Sequence, residues 1–218
     1  MQHTKQREDH LKALYALGES LGGAEAWVPT NRMAEHLGVK APSVTNMVQV
    51  LHELGWAEHR PYRGARLSPA GRRIALALVR KHRLWETFLV ERLGFGWEEV
   101  HDVAEQLEHI DSVKLVERLD AYLGHPTEDP HGDLIPDGKG RFAPRPMRVG
   151  IHELDAGQGG RVAAVKTDEG GFLEQLTAHN VELGVVLNAD QLAALPTTLA
   201  EGLMLEPVDE REKTKTDA

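Results

Sequence analysis

The chain has 218 residues, 41% of them hydrophobic, no cysteine and a formal net charge of -9, which is enough for one large domain or about two to three small ones. The missing thiols exclude disulfides, thiolate zinc sites and a cysteine nucleophile, so any metal must be held by His, Asp, Glu, Met, backbone or water. No apolar run approaches the ~20 residues of a membrane span and the start Met1-Gln2-His3-Thr4 is too polar for a signal peptide, so no membrane partner and a cytoplasmic location are expected.

Charge is unevenly spread. Residues 1–80 carry eleven Lys and Arg against seven Asp and Glu, and the rest carry fourteen against twenty-seven. The basic first third is therefore the part expected to meet an anion such as DNA, whose phosphates dominate non-specific affinity.

The first periodic segment, residues 7–21, places Leu11, Leu14 and Tyr15 at helical spacing and stops at Gly22-Gly23. Its acidic first turn either complements the helix dipole or offers Asp9 and His10 as ligands. Thr30 reads as the N-cap of a short helix ending at Gly38, and Pro42 opens a second whose stripe is Val44, Val48, Leu51 and Leu54. Two short helices joined by a glycine-containing turn read as a helix-turn-helix. The second presents Lys40, Pro42, Ser43, Thr45, Asn46 and Gln49, mostly short polar groups suited to phosphates and base edges. Trp56–Leu67 follows as two extended runs around Arg63-Gly64, with Arg60, Arg63 and Arg66 on a basic hairpin, or wing.

Ser68-Pro69 caps a long helix to about Leu93, which carries His82 and Glu86 at i, i+4. After Gly94-Phe95-Gly96, a helix is predicted over Trp97–Ile110, with His101, Glu105, Glu108 and His109 at i, i+4, i+7 and i+8 on one face. Two such clusters on successive helices point to metal binding. A further helix is predicted over Ser112–Leu123, and the apolar residues Trp85, Phe88, Val100, Leu107 and Leu119 suggest a homodimer. Residues 124–147, rich in Pro and Gly, read as a loop and linker in which Asp129 and His131 are either ligands or turn and capping residues. From Met147 the pattern changes to short strands, suggesting a small β-barrel of about sixty residues. Residues 209–218 are charged, without apolar anchors, and read as a disordered tail.

The winged helix, Arg80-Lys81-His82-Arg83-Leu84, the Val100–His109 run, Leu123-Gly124-His125-Pro126 and Asp129–Pro136 together resemble the metal-dependent repressors related to the diphtheria toxin repressor, including their iron- and manganese-dependent branches. The likeness covers nearly the whole chain. It implies a mainly α fold with small β parts: a winged helix-turn-helix DNA-binding domain (1–73), a helical metal-binding and dimerisation domain (74–143) and an SH3-like (FeoA-like) barrel (147–208). It also implies a primary metal site from Asp9, Glu105, Glu108 and His109 and an ancillary one from His82, Glu86 and His101, with Glu169, Asp129 or His131 as further ligands.

The iron branch typically has Met and Cys where this chain has Asp9 and Glu105. Oxygen and imidazole donors suit Mn²⁺, although such sites also take Fe²⁺ and later metals by raw affinity. The short manganese repressors carry Glu at the position of Lys12, so two separated sites are expected here rather than a two-metal cluster. The expectation is a metal-activated repressor of manganese homeostasis that binds operator DNA as a homodimer and has no small-molecule substrate. An iron-dependent repressor is the nearest alternative. A metallohydrolase and a metal-buffering protein are the alternatives from other classes, and the hydrolase lacks a readable general base, oxyanion donor or substrate pocket.

Overall fold

The computed structural model describes residues 4–23, 25–144, 147–167 and 170–208. Glu169 and the predicted tail 209–218 lie outside them. Two compact units emerge, Met1–His82 with Leu107–Asp111 and Pro136–Arg141, and Arg83–Gln106 with Ser112–Ile135 and Phe142–Ala218. Among the described residues no helix is long and apolar enough to cross a membrane.

The first unit is a winged helix: α1 (Lys5–Ser20), α2 (Thr30–Leu37), α3 (Ala41–Glu53), the antiparallel hairpin β1 (Ala57–Arg60) and β2 (Gly64–Leu67), and the opening of α4 (Pro69–Leu93). Leu11 and Leu14 of α1, Met33 of α2 and Val44, Val48 and Leu51 of α3 fill one core with Ala57 and Ala65 of the hairpin. Helical spacing puts each set on one face. The helix starts follow local chemistry, because Pro42 sits in the first turn of α3 and the Ser68 hydroxyl accepts the Gly71 N–H at 3.1 Å. Thr30 is itself the first residue of α2, without a capping bond from its neighbour Pro29.

The wing is held from outside its own hairpin. Val28 exchanges two backbone hydrogen bonds with Ala65, of 2.7 and 3.0 Å. Gly64, at φ 101°, passes so close to Val28 that a Cβ would run into the Val28 carbonyl. Gly64→Ala is expected to cost about 1–3 kcal/mol through strain and lost contact, measurable as a lower urea midpoint with an unchanged slope. A midpoint equal to the parent's would contradict this packing.

In the second unit α5 (Val100–Leu107) and α6 (Val113–Tyr122) follow α4. Leu84, Leu119 and Ile135 form a small core with Trp85 and Phe88 packed on it. Of the residues expected to seek a dimer partner, Val100 and Leu119 are buried and Trp85, Phe88 and Leu107 are half-buried; the exposed large apolar side chains nearby are instead Leu93, Val113 and Tyr122. The C-terminal β region is a three-stranded antiparallel sheet in the order β4 (Val186–Leu187), β3 (Gly159–Val165), β5 (Leu203–Val208). With it go α7 (Gly170–Ala178), α8 (Ala189–Ala194) and α9 (Thr197–Gly202). Val162, Leu176, Leu203 and Leu205 form its core, joined by Trp97.

The predicted helix over Trp97–Ile110 is too long at both ends. The Glu99 carboxylate accepts the Gly96 N–H at 3.0 Å, shaping a turn before Val100, and Glu108 and His109 lie in a turn after Leu107. Glu108 is 1% exposed. Its buried charge contacts outweigh the single helical hydrogen bonds that one more turn would add.

Candidate metal centres and nucleic-acid face

The first centre joins α1 to the turn after α5, all within the first unit. Asp9 and Lys12, at i and i+3, share a face of α1 opposite Leu11 and Leu14. Asp9, Glu108 and His109 each bring a ligand atom within 4.8 Å of the other two. His109 Nε2 is 3.2 Å from Asp9 Oδ1 and 3.8 Å from Glu108 Oε1, and its Nδ1 lies 2.6 Å from Glu8 Oε2. With Nδ1–H donating to Glu8, the imidazole is oriented so that Nε2 keeps its lone pair toward the two carboxylates, the usual way a ligand histidine is fixed. The Lys12 ammonium donates to Glu108 Oε2 at 2.7 Å, and His82 Nδ1 approaches the same oxygen at 2.6 Å.

Burial would raise the Glu108 carboxyl, but the His82 hydrogen bond, the charges of Lys12 and His82 and the Lys12 hydrogen bond hold it below its ordinary value. It is a carboxylate at neutral pH. His10, the alternative on α1, turns away from this group, its Nδ1 donating to the Gln6 carbonyl at 2.7 Å. Two carboxylates and an imidazole form a hard donor set that fits Mn²⁺ or Fe²⁺.

The second centre lies in the second unit, where Glu86, Asp129 and His131 also bring ligand atoms within 4.8 Å of one another, all three buried. The loop of residues 124–136 is thus not a solvated linker. Asp129 Oδ1 accepts the His131 and Asp133 N–H groups at 2.8 and 3.0 Å, and Gly132, at φ 81°, lets the loop press on the Ala163 carbonyl of β3. His131 stacks on Trp97 and donates Nε2–H to the Trp97 carbonyl at 2.8 Å. Its Nδ1 faces Glu86 at 3.7 Å and Asp129 at 4.0 Å.

Burial first, then the charges of Glu86 and Asp133, push the Asp129 carboxyl up to about 7 against Arg83 and His131. Burial disfavours a charged His131, but the nearby carboxylates of Glu86 and then Asp129 push it up to about 9. Three ionisable groups packed out of water with a proton among them suit exchange of that proton for a cation.

The remaining expected ligands fall as follows. Within the second unit His101 Nδ1 is 3.4 Å from Glu86 Oε1 and its Nε2 is 3.5 Å from Glu105 Oε1, with the Glu105 side chain half exposed. His82 belongs to the first unit, beside Glu108. Glu8, Lys12 and Arg83 were missed as contributors. A face argument around Asp9 reaches Lys12, but nothing local pairs it with a residue 96 positions away.

On the winged helix, Lys40, Pro42, Ser43, Asn46, Gln49, Arg60 and Arg63 are all exposed. Thr45 is half-buried and donates its hydroxyl to the Ala41 carbonyl at 3.1 Å. Arg66 differs from the other two wing arginines, since Glu58 and Glu25 engage its guanidinium at 2.9 and 2.5 Å.

Residues 2–65 match the family described as iron dependent repressor, N-terminal DNA binding domain, and residues 68–137 match iron dependent repressor, metal binding and dimerisation domain. The chain is 37% identical over 179 residues to the iron-dependent repressor IdeR of Mycobacterium leprae, covering 79% of this chain and 72% of that one. It is 33% identical over 184 residues to the diphtheria toxin repressor of Corynebacterium glutamicum, covering 84% and 73%. Against IdeR of Mycobacterium tuberculosis the match is 37% over 130 residues, so the chain spans about half, 54%, of that relative's length. Among solved structures, a manganese-dependent transcriptional repressor in complex with manganese superposes with a TM-score of 0.74 at 30% identity, covering 93% of this chain and all of that one.

Proposed function

Because the chain belongs to the iron-dependent repressor family of metal-dependent transcriptional repressors, a family of regulators rather than enzymes, we propose that it is a manganese-responsive DNA-binding repressor. In this reading it acts in the cytoplasm as a homodimer on operator DNA. The observation that carries it is the grouping of Asp9, Glu108 and His109, an all-oxygen-and-imidazole donor set that ties the turn after α5 to α1, the helix packed in one core with α2 and α3. Asp9, Glu108 and His109 would hold the activating ion, and Glu86, Asp129 and His131 a second, with His101 and Glu105 flanking Glu86. A bound divalent ion supplies the positive charge that gathered carboxylates need in order to stay together.

The chain's own residues do the rest. Glu8 and Asp9 bring the acidic side of α1 to His109, Lys12 brings its ammonium to Glu108, and His82 completes the group. Holding this contact fixes α1, and through the shared core it fixes α3 with its exposed polar face and the wing. In a dimer, two such helices would address half-sites ~34 to 36 Å apart or a multiple of it.

Iron is the second reading. Two of the relatives, 37% and 33% identical, are described as an iron-dependent repressor and as the diphtheria toxin repressor, and donor type alone does not reject Fe²⁺. Selection of bound duplexes from a random-sequence pool, run with Mn²⁺, anaerobically with Fe²⁺, and with chelator, tests both. Enrichment of a two-fold symmetric sequence with Mn²⁺ and none with chelator is expected. Enrichment with Fe²⁺ alone would give the site to iron, and equal enrichment in chelator would overturn metal activation.

A further inference from the structure

The three wing arginines surround one aromatic ring. The guanidinium carbons of Arg60, Arg63 and Arg66 lie 4.8, 5.3 and 5.0 Å from the centre of the Trp27 indole, within the ~6 Å at which a cation is attracted to a π face. Trp27 is placed there by its neighbour, because Val28 is fully buried and stitched to Ala65 by two backbone hydrogen bonds. Gly64 permits that approach.

The three cations are not equivalent. Arg66 spends its N–H edge on Glu58 and Glu25. Arg60 and Arg63 are exposed, and among the described residues neither guanidinium has an acidic partner. A guanidinium that rests its face on an indole still presents its N–H donors around the edge, and those donors fit phosphate oxygens. Glu25 and Glu58 supply two negative charges against three positive ones, so the cluster keeps a surplus that a phosphate would neutralise.

We propose that Trp27 is the positioning residue of the wing, holding the Arg60 and Arg63 guanidiniums over its indole so that their N–H groups are set for the DNA backbone before DNA arrives. The proposal rests on the DNA-binding reading above. It goes beyond it in assigning a role to a residue outside both the recognition helix and the hairpin. Flexible arginines lose rotamer freedom on binding, and stacking moves that loss into the folding of the free protein.

The test compares parent, Trp27→Leu and Trp27→Tyr for binding to sheared mixed-sequence duplex DNA at low fixed salt, where phosphate contacts dominate. It also records the arginine Nε–Hε resonances of each protein without DNA. Trp27→Leu is expected to bind about tenfold more weakly, with Mn²⁺ titration unchanged and the Arg60 and Arg63 signals moved toward random-coil positions. Trp27→Tyr, which keeps a π face, should stay within about threefold of the parent.

Equal binding by Trp27→Leu overturns the proposal, as does an equal loss in Trp27→Tyr, which would indicate packing alone. Should Trp27→Leu fail to fold, the parent decides. Arginine signals already at random-coil positions overturn the stacking, whereas ring-shifted signals in a parent that binds no duplex overturn the DNA reading on which the proposal stands.

Discussion

Glu108→Ala is expected to abolish Mn²⁺ binding at the first centre and to lower the stability of the metal-free protein by about 3–5 kcal/mol. The side chain is nearly inaccessible and accepts from the Lys12 ammonium while facing His82. Truncation would leave an ammonium, 21% exposed along its side chain, without the anion that compensates its partial desolvation. Removing one partner of a buried pair costs far more than the pair itself contributes. Glu108→Gln separates the two roles, since the amide oxygen still accepts from Lys12 while the charge is gone. Stability should return only in part, because the acceptor is restored but not the compensating charge, and metal binding should not return. Coupling this substitution with Lys12→Met should then give less than the sum of the single losses, because the two residues share one interaction. Denaturation in chelator together with calorimetric Mn²⁺ titration checks each expectation. Unaltered titration in Glu108→Ala would remove that residue from the proposed ligands.

The second large effect is a dependence on pH from the Glu86–Asp129–His131 group. His131 has a folded value near 9 against an ordinary 6.5, so its favourable pairing with Glu86 and Asp129 is fully present below about 6.5 and is lost as pH rises through about 9. Asp129 is raised as well, from 3.8 to about 7. The folded chain therefore binds more protons than the unfolded one in both windows, and stability falls as pH rises. Metal-free protein should lose on the order of 2–3 kcal/mol from His131 between pH 6.5 and 9, read from urea midpoints at fixed salt.

A cation entering the group must displace those protons. Its apparent affinity should accordingly climb with pH over the same range, by up to about tenfold per unit for each proton released. His131→Ala should flatten the alkaline part of the stability profile, and persistence of the full slope in that variant would place its origin elsewhere.

The winged helix was legible from the sequence because its punctuation is local. Pro42, Ser68-Pro69 and the arginine-bearing hairpin each announce themselves within a few residues, and the structure places them accordingly. The α5 region was only partly legible, since Leu107 and Ile110 continue a helical pattern while Glu108 answers to Lys12 and His82, 96 and 26 residues distant. A periodic pattern carries no sign of such a pull.

The proline- and glycine-rich composition of residues 124–147 suggests a linker. His131 is covered by Trp97, and Gly132 beside it abuts the backbone of β3, neither of which is close in sequence. By contrast, the start of α8 is written locally in the sequence. Asn188 accepts the Gln191 N–H while the Gln191 side chain accepts the Asn188 N–H, a reciprocal capping pair spelled out by the Asn-x-x-Gln spacing. Trp27 had no such signature, because its significance lies in three arginines brought to it by a neighbouring strand pairing.

The central claim, that a divalent ion at Asp9, Glu108 and His109 controls DNA binding, is tested most directly by fluorescence anisotropy of one selected duplex. The titration varies free Mn²⁺ at constant salt, for the parent and for Asp9→Ala. The account predicts that saturating Mn²⁺ raises the parent's affinity by about 5- to 150-fold over chelator, with the response lost in Asp9→Ala. An affinity in chelator equal to that in Mn²⁺, or an undiminished response in Asp9→Ala, would contradict it.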